Sequence, residues 1–117
     1  MLHHVAIEMS PAEREEALRF WALLGFHEVD PPPSLRERAA WVQRGGTQIH
    51  LLWAERPVAP AQGHVAVVLD DFEGRLRRLR TGGFEVQPRT EHWGARRAFV
   101  RAPGGHRVEV MAAPPGG

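Results

Sequence analysis

The sequence predicts an α+β fold: two tandem βαβββ modules forming a curled mixed β-sheet cup. Three observations predict it. The chain opens His3-His4-Val5-Ala6-Ile7-Glu8-Met9-Ser10 and returns to the same pattern at Gly63-His64-Val65-Ala66-Val67-Val68-Leu69-Asp70. His4 and His64 are separated by the same interval as Ser10 and Asp70, the signature of an internal duplication. The glycine pairs Gly45-Gly46 and Gly104-Gly105 then align the closing strand of each copy without a gap. One helix covers one sheet face, so two related copies leave a concavity lined from both.

The first module reads in order as follows. Residues 2–8 alternate, with His4, Ala6 and Glu8 on one face and His3, Val5 and Ile7 on the other, as a strand requires. Ser10-Pro11-Ala12-Glu13 starts a helix, with a serine cap, a proline at the first position and a glutamate three residues after the cap. Ala17, Phe20, Trp21 and Leu24 form its apolar stripe and Gly25 ends it. Phe26 to Val29 is a short strand, Pro31-Pro32-Pro33 a stiff extended loop, and Ala39 to Arg44 a strand. Gly45-Gly46 turns into the strand Thr47 to Trp53.

The Pro/Ala-rich segment 54–62 is a linker between module 1 (1–53) and module 2 (63–113), the two together making one domain over 1–117. In the second module, strand 63–69 leads to a helix capped by Asp70, with Glu73 at the capping-box position. Phe72, Leu76 and Leu79 make its stripe, while Arg75, Arg77, Arg78 and Arg80 face water. Gly82-Gly83 ends the helix, and Phe84-Glu85-Val86 echoes the short strand of module 1. Strands follow near 96–102 and 106–112, and the tail Pro114 to Gly117 is expected to be disordered.

Composition narrows the function. Hydrophobic content of 43% and charged content of 25% suit a globular protein, and a net charge of +1 gives no reason to expect nucleic acid. All fifteen cations are arginines; with the abundant Ala, Gly and Pro this suggests a GC-rich bacterial source. Cysteine is absent, which excludes disulfides, thiolate metal sites and a cysteine nucleophile. No signal segment or membrane-length apolar run is present, so a cytoplasmic protein without a membrane partner is expected.

The repeat selects four residues. His4 pairs with His64, and His50 with Glu109, all in expected strands flanked by apolar residues. Imidazoles and a carboxylate, without thiolates, make a ligand set for a divalent ion such as Ni, Co, Mn, Fe(II) or Zn. Taken singly, each could be an ordinary strand residue; the coincidence of four at equivalent positions points to a metal site. Glu8 shares the His4 face, and Gln48 and Arg107 flank His50 and Glu109. An inward Arg107 would suit an anionic substrate. Trp53 and Trp93 are candidates for a pocket wall.

The chain resembles the vicinal oxygen chelate (VOC) superfamily, which includes glyoxalase I, bleomycin- and fosfomycin-resistance proteins, extradiol dioxygenases and methylmalonyl-CoA epimerase. The resemblance spans both halves. His3-His4-Val5-Ala6-Ile7 is similar to its first strand and carries a metal ligand onto His4. Gly63-His64-Val65-Ala66-Val67 carries the second onto His64. The run from Trp93 to Glu109 resembles its C-terminal signature and places Glu109 at the ligand glutamate. His50 stands where glyoxalases carry a glutamate and epimerases a glutamine. The family's Asp-Pro-Asp-Gly turn reads Ala102-Pro103-Gly104-Gly105 here.

The resemblance implies a metal-dependent enzyme acting on a small oxygen-chelating substrate by isomerase, lyase, epimerase or group-transfer chemistry. The alternative is a non-catalytic drug- or metabolite-binding protein of the bleomycin-resistance type. Glu109 and His50 are the candidate catalytic residues; His50 either binds the metal or serves as general base. A homodimer is expected, with the ligands drawn from one chain or, through module swapping, from two.

Overall fold

The computed structural model describes residues 1–116; Gly117, the last residue of the expected tail, lies outside the described residues. Residues 114–116 are exposed and without regular structure. The chain divides into two compact units, one spanning Met1–Ala59 and the other beginning at Pro60. Each runs strand, helix and three strands, so the α+β class and the two βαβββ modules are observed. No helix among the described residues is long and apolar enough to cross a membrane.

The first unit contains β1 (His4–Met9), α1 (Arg14–Leu23), β2 (His27–Val29), β3 (Ala39–Arg44) and β4 (Thr47–Trp53), with sheet order β1-β4-β3-β2. The crossover through α1 makes β1 parallel to β4, and the β2–β3 and β3–β4 pairs are antiparallel. The helix begins later than its serine cap suggests. Ser10 accepts a bond from the Ala12 amide at 3.3 Å, and Pro11–Glu13 forms one tight 3₁₀ turn before α1. Ala17, Phe20 and Trp21 are buried on α1, with Leu24 just beyond it. Phe20 and Phe26 meet the Trp21 ring edge-on at 5.2 and 5.3 Å. Gly25, at φ 92°, takes the left-handed turn that ends the helix.

The second unit contains β5 (Val65–Val68), α2 (Phe72–Thr81), β6 (Val86–Arg89), β7 (Arg97–Arg101) and β8 (Arg107–Met111), with order β5-β8-β7-β6. Here β5 is parallel to β8, and β7 is antiparallel to both β6 and β8. Phe72, Leu76 and Leu79 are buried, together with Ala98, Val100, Val108 and Val110 from alternate positions of β7 and β8. Period-2 alternation puts Arg97, Phe99, Arg107 and Glu109 on the other sheet face.

Two expectations for α2 need correction. The cap residue is Asp71, not Asp70. It sits in the left-handed region at φ 46° and gives no side-chain cap bond. Asp70 instead pairs with Arg75 at 3.0 Å, and Glu73 pairs with Arg96. Arg75 is therefore largely covered, with its side chain 19% exposed, and does not stand in water like Arg77 and Arg80.

Candidate functional site

Strand register places the four expected ligands as two equivalent pairs. In the first unit Ala6 lies opposite His50; in the second, Ala66 lies opposite Glu109. His4 precedes Ala6 by two positions within β1 and so shares a sheet face with His50, whereas His64 stands just before β5, outside the strand expected for it, two positions ahead of Ala66.

In the second unit, His64 Nε2 lies 3.2 Å from Glu109 Oε1. His64 Nδ1 is 2.8 Å from the Gln62 carbonyl, which can only accept, so Nδ1 carries the hydrogen. Nε2 and the carboxylate oxygen then face one another as two electron-pair donors, and a cation, proton or metal, belongs between them. Ligand atoms each about 2.1 Å from a common ion, at tetrahedral to octahedral angles, stand about 3.0–3.4 Å apart, which this pair matches. A carbonyl that orients a histidine in this way is the usual support of a ligating imidazole. The other Glu109 oxygen accepts from Arg97 Nη1 at 3.1 Å, and both side chains are nearly covered, at 12% and 11% exposure. Arg97 is anchored in turn on the Thr90 carbonyl at 2.7 Å.

In the first unit, the His4 and His50 rings stack with centroids 4.0 Å apart. His50 is buried, and Trp41 covers its other side at 3.9 Å. His50 Nε2 donates to Gln48 Oε1 at 2.7 Å, and Gln48 Nε2 donates to Gln43 Oε1 at 2.8 Å. The relay leaves His50 Nδ1 with its lone pair. Burial, helped by the facing His4 and His3, lowers the His50 pKa to about 4, so the ring is neutral near pH 7, the form that binds metal.

The remaining expected site residues are placed as follows. Glu8 accepts from the Val58 amide at 2.9 Å and so ties β1 to the segment that follows β4. Arg107 lies over Phe99, with its guanidinium carbon 4.6 Å from the ring centroid. Trp93 donates to the Ala113 carbonyl at 2.8 Å, with Arg97 over its ring. Trp53 alternates with His50 along β4, on the side of Ile49 and Leu51, and lines a shallow hollow with Pro11, Ala54 and Glu55. Among the described residues, no three His, Cys, Asp or Glu side chains gather into a metal cluster. Three neighbours of the pairs went unassigned in the sequence: Arg97, Phe99 and Trp41. Trp41 faces His50 and Phe99 faces Glu109 by register, so the signal was the repeat itself, an aromatic opposite His50 in one copy and Glu109 in the other.

The family model of the Glyoxalase/Bleomycin resistance protein/Dioxygenase superfamily matches residues 2–110. Among solved structures, a Bacillus anthracis protein assigned to the glyoxalase family is 25% identical, with a TM-score of 0.85 over 95% of this chain and 93% of that one. The oxidase ChaP-H2 shares the fold at 21% identity and a TM-score of 0.77, over 99% and 95%. The fosfomycin resistance protein FosX from Mesorhizobium loti does so at 17% and 0.72, over 97% and 92%. No curated protein matches significantly. With its two βαβββ units and a family match over nearly its whole length, the chain belongs to the Glyoxalase/Bleomycin resistance protein/Dioxygenase superfamily.

Proposed function

We propose that the protein is a metal-dependent enzyme acting on a small oxygen-chelating substrate, and that His4, His50, His64 and Glu109 are metal ligands. The supporting observation is His64: Nδ1 is turned to the Gln62 carbonyl, and the other ring nitrogen, Nε2, lies 3.2 Å from Glu109 Oε1. When bound, the ion would supply Lewis-acid polarisation of two neighbouring substrate oxygens. Arg97 holds the Glu109 carboxylate in place, and Gln48 holds the His50 ring. A pKa of about 4 suits His50 to ligation better than to general-base work near pH 7. A homodimer is part of the proposal.

The test is metal analysis by mass spectrometry of the purified protein, before and after dialysis against nickel, cobalt, manganese, zinc or iron(II). One divalent ion per site is expected, lost in Glu109→Ala and in His64→Ala. Protein that neither carries nor gains stoichiometric metal overturns the proposal. Tight drug binding that survives the double alanine variant would instead make it a sequestering protein of the bleomycin-resistance type.

A further inference from the structure

Around Phe99 the second unit gathers more positive charge than it neutralises. The guanidinium carbons of Arg107, Arg89 and Arg97 lie 4.6, 5.5 and 5.8 Å from the ring centroid. Register sets Arg89 directly opposite Arg97, and Arg101 directly opposite Arg107. Like charges facing across strands are destabilising, and this face carries two such pairs against two carboxylates, Glu109 and Glu85, the latter lining a hollow with Phe99, Arg101 and Arg107. Arg97 is neutralised by Glu109. Among the described residues, Arg89 and Arg107 form no ion pair. Arg107 is also short of hydrogen-bond partners. Its Nε is buried with none, and its Nη2 reaches the Gln62 carbonyl only at 3.4 Å. The same carbonyl orients His64, so Arg107 sits beside the His64–Glu109 pair. A buried donor without an acceptor is costly; an incoming anion supplies acceptors and cancels the repulsion together.

We propose that this face is the anion subsite for the substrate. It takes a carboxylate or phosphonate group, with Arg107 as principal donor and Arg89 as second, their guanidinium carbons 4.6 and 5.5 Å from the Phe99 centroid. The proposal rests on the metal-centred reading above and gives its substrate a chemical class: a small acid. A planar guanidinium fork matches two oxygens of either group.

The experiment is an NMR titration of chelator-treated protein with benzoate, phenylphosphonate and uncharged benzamide. Both anions are expected to bind about tenfold tighter than benzamide, the difference a charge-assisted hydrogen bond makes. The tighter of the two names the group. Arg107→Gln and the exposed Arg89→Gln should each remove most of that preference, while Arg77→Gln on α2 leaves it unchanged. Equal binding of benzoate and benzamide, no detectable binding of either anion, or an anion preference that survives both substitutions overturns the proposal. Metal content measured on the same variants separates the two readings. Metal retained without anion preference refutes only the subsite, and anion preference in a protein that takes up no metal refutes only the metal centre.

Discussion

The His50 imidazole lies flat against the Trp41 indole, with centroids 3.9 Å apart and planes within 2°. His4 closes the other side at 4.0 Å and 12°. The sandwich removes water from both ring faces and leaves the ring edge to Gln48. Charging the ring therefore means charging a group that has lost its solvent and stands beside two further histidines.

This relationship sets a pH dependence. The folded state holds the His50 pKa at about 4 against an ordinary 6.5, through burial first and His4 and His3 second. Between those values the unfolded chain binds more protons, so stability rises with pH. The contribution is fully present above pH 6.5 and is lost as pH falls through 4, where it amounts to about 3 kcal/mol. Thermal unfolding of metal-free protein from pH 4.5 to 7.5 should show this slope, and His50→Phe should flatten it relative to the parent. Parallel curves for the two proteins would refute the assignment.

Glu109 is also a structural residue, because it neutralises the nearly covered Arg97. Glu109→Gln keeps the shape but leaves that guanidinium without its counter-charge. We expect a loss of about 1–3 kcal/mol, read as a lower urea midpoint with an unchanged slope. Combining it with Arg97→Met should recover part of the loss, since the uncompensated charge is then gone. Strict additivity of the two changes would show that the pair is not coupled.

The fold and the pairing of His4 with His50 and of His64 with Glu109 were legible because duplication preserves phase. A strand has period 2, so the equal spacing of His4 to His64 and the gapless match of His50 to Glu109 carry face as well as position. The structure keeps that phase in the Ala6–His50 and Ala66–Glu109 registers. Arg97 was hidden because its partnership with Glu109 depends on the hairpin between β7 and β8. That connection takes residues 102–106, whereas its counterpart in the first unit takes only Gly45-Gly46. The choice of Asp71 over Asp70 was equally hidden. Both are good caps by composition, and the start of α2 decides between them, with Phe72, Leu76 and Leu79 buried along it.

Trp21 is the largest fully buried side chain in the first unit, and both Phe20 and Phe26 meet it edge-on. Trp21→Ala deletes an indole whose space these rings cannot refill. A cost of about 3–5 kcal/mol is expected, a large share of the stability of a domain this size. Chemical denaturation measures it directly. A loss below about 1 kcal/mol would mean that the helix packs on the sheet without relying on this ring.

Asp71 offers a change in the opposite direction. Its backbone at φ 46° is one that L-residues with a Cβ adopt at a cost, and its side chain makes no cap bond to α2. Its carboxylate reaches only Arg78, at 3.4 Å, and both side chains are more than half exposed. Such an exposed pair contributes little. The carboxylate also fills the space beside the Gly74 Cα, where a Cβ would collide with it. Asp71→Gly removes the backbone strain and the crowding together, at the entropic cost a glycine adds to the unfolded chain. The net expectation is a gain of about 0.5 kcal/mol, seen as a small rise in Tm, and Gly74→Ala should be better tolerated in that background than in the parent. If Asp71→Gly lowers Tm, the carboxylate is anchoring the start of α2 through Arg78, and the strain at φ 46° is the cost of that anchor.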